Sequence, residues 1–422
     1  MMLGYLLARS GVAVTVLEKH RDFFRDFRGD TVHPSTLELL YELGLLEEFL
    51  KLRHEKVTSL SATVGDFEFE QANFERLHTH CRFVAIMPQW DFLNFLSEQA
   101  KQYPTFDLRL EHEATDVLYE NERITGVSVR TPSGTEHIRA DLVVACDGRH
   151  SAMRAAAHLQ VHELGVPIDV LWFRISRASQ DPEQVLGRIN FGKLLILINR
   201  GDYFQAGLVV QKNSFDQIKR KGIEAFRHDV ARIAPFLGER VAEIKSWDDV
   251  KLLSVQINRL KRWHRPGLLC IGDAAHAMSP VFGVGINLAV QDAVAAANIL
   301  ARPLLRKENT DRYLERVQRR RELRTRITQG LQVLAHGAFR YIFRSEGPLR
   351  PSRLFKLVAR AHIAQPIVLR VVGVGIVPEH VAGAERESRS LGSTLARTVG
   401  MAAGIAAAAT VFWLGVRRLR ND

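Results

Sequence analysis

Residues 270–292 read CIGDAAHAMSPVFGVGINLAVQD, and the reading of this run decides the fold. Leu268, Leu269, Cys270 and Ile271 form a short apolar run of the kind that makes a buried strand, and Gly272-Asp273 ends it. A loop punctuated by Pro280, Gly283 and Gly285 follows, then an apolar helix from about Ile286 to Leu300. Each part has a physical use. A carboxylate at a strand end, here Asp273, accepts hydrogen bonds from ligand hydroxyls. Glycines without a Cβ let backbone approach a flat ring. The helix start at Gly285, Ile286 and Asn287 presents unpaired N–H groups and a partial positive charge, which favours an anion there. A ligand with a polyol chain leading to a flat ring that becomes anionic would use all three.

The beginning of the chain points the same way. VAVTVLE (Val12–Glu18) alternates as a strand does and ends in an acid. In a dinucleotide-binding βαβ unit an acid at that strand end binds ribose hydroxyls, a role that Glu18 fits. Gly4 and Gly11 are seven apart, about two helical turns, which predicts a shared helix face packed on a sheet. FRGDTVHPSTLELLYELGLLEEFL (Phe27–Leu50) predicts a turn and a helix with Ser35 or Thr36 near its N-cap. MPQWDFLNFLSEQA (Met87–Ala100) predicts an amphipathic helix. ADLVVACDGRHSAMR (Ala140–Arg154) predicts a strand, a turn at Asp147-Gly148 and a helix start that Asp147 caps.

These runs, in this order, resemble the FAD motifs of the flavoprotein aromatic hydroxylases, the p-hydroxybenzoate hydroxylase-like monooxygenases. The resemblance extends to about residue 390. It implies an α/β fold: a Rossmann-like FAD-binding domain with an inserted antiparallel β-sheet substrate domain and a C-terminal helical region. The segments expected are 1–160 and 257–303 for the FAD-binding domain, 161–256 for the substrate domain and 304–392 for the helical region. It implies FAD contacts from Glu18, Arg28, Gln89, Asp147, Gly148, Asp273, Pro280, Gly283, Gly285, Ile286 and Asn287, with Arg25 second to Arg28. In the family pattern a first strand and a G-x-G-x-x-G loop precede the residues matching Gly4 and Gly11. This chain begins just past that loop, and the expectation is a chain truncated at its N-terminus.

The chemistry implied is that NAD(P)H reduces FAD, O2 reacts at the reduced ring, and one oxygen atom passes to an aromatic or lipophilic small molecule. No catalytic side chain is named, because the cofactor carries the reaction. His276 reads as structural. Trp172, Arg174, Tyr203 and Gln205 alternate so that they face a cavity over the ring, or are ordinary sheet residues. Rival readings are another flavin oxidoreductase on the same scaffold (an isoprenoid reductase or a halogenase) and a flavin-free remnant. Gly373-x-Gly375 lacks a βαβ context and is rejected as a second dinucleotide site.

Composition narrows the class. With 422 residues, of which 46% are hydrophobic, the chain can form two or three domains. Cys81, Cys146 and Cys270 lie too far apart for a metal motif and predict buried, reduced thiols in a cytoplasmic protein. The net charge of +11 concentrates late, in RVQRRRELRTR (Arg316–Arg326) and RRLR (Arg417–Arg420). The first run predicts a solvated helix face. No nucleic-acid module accompanies the charge, and an anionic membrane surface is the better partner. TVGMAAGIAAAATVFWLGV (Thr398–Val416) is 19 residues without a charge, so a helix over 394–417 predicts a transmembrane or packing segment and association with the cytoplasmic membrane.

Overall fold

The computed structural model describes residues 1–24, 31–182, 185–345, 347–362 and 365–382. Arg25, Arg28 and the 394–417 segment lie outside the described residues. The chain opens with α1 (Met2–Arg9), buried except at Arg9, and β1 (Val14–Glu18). Then come α2 (Pro34–Glu42), β2 (Ser59–Val64), β3 (Phe67–Asn73) and α3 (Gln89–Lys101). β4 (Phe106–Leu110) precedes a three-stranded meander of β5 (Glu113–Glu120), β6 (Arg123–Thr131) and β7 (Gly134–Arg139). β8 (Val143–Ala145) and a short helix, α4 (Ala152–Ala156), complete this part.

Parallel pairing marks the dinucleotide-type scaffold. β1 pairs in parallel with β4, from Val14↔Phe106 to Glu18↔Leu110. β8 pairs in parallel with a returning strand, Leu268–Cys270, from Val143↔Leu268 to Ala145↔Cys270. These are two separate ladders among the described residues. α1 lies on the first. A Cβ at Gly4 would come 2.6 Å from Val16 Cγ2, so only glycine permits this approach. Gly11 does not share that helix face as the spacing predicts. It ends the helix at φ +87, with Gly11 N–H donating to Ala8 O and Val12 N–H to Leu7 O, the left-handed C-terminal cap that glycine favours.

The second sheet has seven strands. β9 (Ile168–Ser176), β10 (Val185–Asn190), β11 (Lys193–Asn199), β12 (Tyr203–Gln211) and β13 (Lys251–Leu253) come from the span read as a substrate domain. The order is β13-β9-β12-β11-β10-β2-β3, so two strands come from residues 59–73, outside the predicted 161–256 segment. β10 pairs in parallel with β2, a contact between distant segments that carries no local signature. One face buries Leu171, Phe173, Ile175 and Phe204 under α5 (Ile223–Ile233). The other carries Val170, Trp172 and Val209 toward Val281, the loop before the long apolar helix.

The returning strand is β14 (Leu268–Cys270), its three residues fully buried. It leads to α6 (Gly285–Leu305) and α7 (Asp311–Ile342). α8 (Arg353–Arg360) and a π-helical turn at Leu369–Val374 follow. Val281–Leu305 has the length and apolarity of a membrane span, but its apolar window is 67% buried inside the protein, as suits a core helix. The turn at 369–374 holds the rejected Gly373-x-Gly375. Gly373 there packs on Leu77 and Phe74, and Gly375 on Gln291. Cys81 and Cys270 are buried as predicted, whereas Cys146, one residue past β8, is exposed.

Candidate functional site

Three acids stand at the carboxyl ends of parallel strands, where open α/β sheets bind ligands. Glu18 is the last residue of β1, and its Oε1 accepts from His20 N–H at 2.9 Å. Asp147 follows β8 and Asp273 follows β14. Burial pushes the pKa of the Met1 ammonium down, while Cys146 and Glu18 lie close enough to oppose that shift.

The Asp147 loop is built by local hydrogen bonds. Ser151, not Asp147, is the N-cap of α4, its Oγ accepting from Arg154 N–H at 3.0 Å. Asp147 Oδ2 accepts from Met153 N–H at 3.2 Å, one residue earlier in the first turn. Gly148 has φ +83, a conformation open to glycine at no steric cost. Arg154 donates to two main-chain carbonyls, Arg149 O at 2.7 Å and Ala274 O at 3.2 Å. It thus ties the Asp147 loop to the Asp273 turn. Arg149 adds an ion contact to Asp273 at 3.9 Å.

The glycine loop then bends sharply. Pro280 precedes a single turn at Val281–Gly283, where Phe282 has φ +74 and Gly283 φ +65. A left-handed phenylalanine is strained by roughly 1–2 kcal/mol. Its ring packs in the clusters of Ile198, Leu60 and Val372 on one side and Met278, Val284 and Leu288 on the other. Thr31 Oγ1 donates to Gly283 O at 3.4 Å. Gly285 is the first residue of α6, followed by Ile286 and Asn287. Asn287 Oδ1 accepts from Thr36 Oγ1 at 2.7 Å, while its buried Nδ2 has no hydrogen-bond partner. Thr36 is thus used in a contact to α6; the N-cap of α2 is His33, with Pro34 at the first helical position. Gln89 is the half-buried first residue of α3, with Pro88 as N-cap.

The residues missed by sequence reading come from α7. Its basic run does not form a uniformly solvated face: Arg321 is fully buried. Arg321 Nε donates to Asp292 Oδ1 at 2.8 Å, and its Nη1 contacts Glu379 Oε1 at 3.3 Å. Asp292 Oδ2 in turn accepts from Gly272 N–H at 3.1 Å and meets His276 Nε2 at 2.5 Å. His276 and Arg321 hold the Asp292 carboxyl below its ordinary pKa, outweighing burial, which pushes it up. Further along α7, Gln332 Nε2 donates to Ser279 O and Val281 O, both at 2.9 Å, and His336 meets Ser279 Oγ at 2.9 Å. Gln318, Arg321, Thr325, Gln329, Gln332 and His336 are all buried. Their spacing of three and four residues is the available signal, a polar stripe on one helix face.

This donor set fits FAD. An acidic strand end, a glycine-lined bend, a helix start and an unpartnered amide at Asn287 match a polyol chain and a ring that gains negative charge.

The family described as FAD binding domain matches residues 1–330. The chain is 28% identical over 371 residues to 6-methylpretetramide 4-monooxygenase of Streptomyces rimosus, covering 87% of this chain and 88% of that one. It is 26% identical over 306 residues to rifampicin monooxygenase of Streptomyces venezuelae, covering 69% and 60%. Among solved structures, PqsL of Pseudomonas aeruginosa superposes with a TM-score of 0.69 at 21% identity, covering 81% of this chain and 94% of that one. The p-nitrophenol 4-monooxygenase PnpA of Pseudomonas putida gives 0.69 at 18% identity, covering 87% and 93%. On its motifs, its fold and this match, the chain belongs to the FAD binding domain family and is an FAD-dependent monooxygenase.

Proposed function

We propose that this FAD-dependent monooxygenase hydroxylates an aromatic or related lipophilic small molecule, with NAD(P)H as reductant and O2 as the oxygen source. The observation that carries the reading is the apolar face of the seven-stranded sheet over the glycine loop. Trp172, Val170 and Val209 share a cluster with Val281. The match to 6-methylpretetramide 4-monooxygenase supports an aromatic substrate. Trp172 belongs to this face, and Arg174 with Gln205 continues it, the two being cross-strand partners. Arg174 lies over the Tyr203 ring at 3.8 Å.

Bound FAD supplies the electron transfer and oxygen activation. Asp273 would accept from ribityl hydroxyls, and Glu18 from the adenosine ribose. The N–H groups of Gly285–Asn287 would stabilise negative charge on a bound flavin ring. Gly283 would admit the ring to the backbone, Gln89 would lie toward the phosphate region, and the apolar sheet face would keep water away. The uncharged 398–416 run gives the enzyme a membrane-associated tail on the cytoplasmic side.

The test is a purified full chain supplied with FAD and assayed with NADH, NADPH and a panel of phenols and polycyclic aromatics under 18O2. The expected result is substrate-stimulated oxidation of one nicotinamide cofactor and a product carrying one labelled oxygen. Reduction of a substrate double bond, halogen incorporation, or failure to bind flavin would overturn the reading.

A further inference from the structure

α8 has two apolar faces, and the described protein covers one of them. Ser352 opens the helix, its Oγ accepting from Phe355 N–H at 3.2 Å. Phe355 and Ala359, one turn apart, pack inward with Val64, Phe67 and Phe69 of β2 and β3. The Phe355 ring meets Phe67 and Phe69 edge-on, at 6.3 and 5.5 Å. Leu354, Leu357, Val358 and Ala361 stand at i, i+3, i+4 and i+7, so they share a second face. Leu354 is 42% exposed and Leu357 66%, more than any other large apolar side chain among the described residues. The rest of the helix surface is cationic: Arg353, Lys356 and Arg360.

Charge selects what covers the leucines. From Arg344 to His362 the chain carries five basic side chains, at Arg344, Arg350, Arg353, Lys356 and Arg360, against one acid, Glu346. No carboxylate among the described residues pairs with any of the five. A second copy of this chain would bring the same positive face. The uncharged 398–416 run would cover the leucines and leave the cations unanswered. An anionic lipid surface answers both.

We propose that α8 lies in the headgroup layer of an anionic bilayer. Leu354 and Leu357 enter the acyl boundary, while Arg353, Lys356 and Arg360 reach along their stems to lipid phosphates. The proposal rests on the membrane-associated tail for anchorage, because so small an insertion binds marginally alone and stable attachment takes two signals. The tail ties the molecule to the membrane, and α8 fixes how it lies there, with the β3 edge of the seven-stranded sheet turned to the lipid.

The test puts an environment-sensitive dye on Leu357→Cys in the full chain. The wild type, labelled at its exposed Cys146, is the reference. Phosphatidylcholine vesicles with or without phosphatidylserine are added, and flotation of the same samples reports attachment. The expected result is a blue shift at position 357 with the anionic vesicles, absent from the reference and from neutral vesicles. Leu354→Gln combined with Leu357→Gln, without dye, weakens binding to the anionic vesicles roughly tenfold and leaves flavin binding intact. A chain that floats without a shift at 357 overturns the α8 contact and leaves the tail standing, whereas a chain that stays at the bottom overturns both. An equal shift on neutral vesicles overturns the charge selection. Emission already blue-shifted without lipid places the tail on α8, and a shift that grows with protein concentration alone places a second copy there; either outcome overturns the proposal.

Discussion

At the scale of single residues, Asp273 and Phe282 carry separable predictions. Asp273→Ala removes a charged acceptor for ribityl hydroxyls. A hydrogen bond to a charged group is worth about 1.5–3 kcal/mol, so FAD should bind roughly ten- to a hundredfold more weakly. A flavin titration by fluorescence checks this, and an unchanged dissociation constant removes Asp273 from the site. Phe282 tests the backbone instead. At φ +74 a Cβ is unfavourable, so Phe282→Gly should be more stable than Phe282→Ala by about 1 kcal/mol, the reverse of the ordinary order. Urea unfolding of the two variants decides it; an alanine variant of equal or greater stability would deny the left-handed turn. The two residues differed in legibility. The strand, loop and helix that carry Asp273, Gly283 and Asn287 could be read because they lie in one contiguous run with fixed spacing. The Phe282 conformation could not, since nothing about phenylalanine announces a left-handed backbone. Gly11 misled because its spacing from Gly4 suits a helix face and a helix end equally.

At the scale of elements, α7 is the clamp behind the glycine loop. Arg321→Met would take the shared guanidinium from the buried Asp292 and Glu379 carboxylates, leaving Asp292 to His276 and Glu379 to Arg320, and breaking such a buried pair costs about 3–5 kcal/mol. Chemical denaturation measures it, and a loss below 1 kcal/mol would mean the network is dispensable. The histidines give α7 a pH signature. Burial lowers His336 to a pKa of about 4, and His33, held by Val372 O, also to about 4. Both are therefore neutral when folded and protonate more readily when unfolded. Their contribution is complete above pH 6.5 and is lost as pH falls from 6.5 toward 4. A shift of this size corresponds to about 3 kcal/mol for each residue. His336→Gln should flatten part of the fall in thermal midpoint between pH 6.5 and 4; an unchanged slope refutes the assignment. None of this was evident from composition. A run as basic as Arg316–Arg326 reads as solvated until the polar residues are placed on a helical wheel. The strands β8 and β14, by contrast, followed from short apolar runs ended by turn residues. The recruitment of β2 and β3 into the second sheet did not, because strand pairing across more than a hundred residues leaves no local mark.

At the scale of the whole molecule, the tail and the two ladders matter most. An uncharged 398–416 run between arginines can satisfy its backbone in lipid only as a helix. The full chain should float with anionic vesicles in a density gradient, and a chain ending near Ser390 should stay at the bottom while still binding flavin. A full chain that remains at the bottom, or a shortened one that loses flavin, would make the run a packing helix. The two ladders have a different outcome. β1 bonds to β4 on one flank, and β8 to β14 on one flank, and residues such as Val14, Leu17, Val143 and Val144 are only partly buried. β14 carries His264–Arg265 on its other flank, whereas β1, β4 and β8 each keep one flank with no strand partner among the described residues, where an extended segment could pair. An extended segment of a neighbouring chain could add to such a flank, so the share of oligomer should rise with protein concentration in a sizing column.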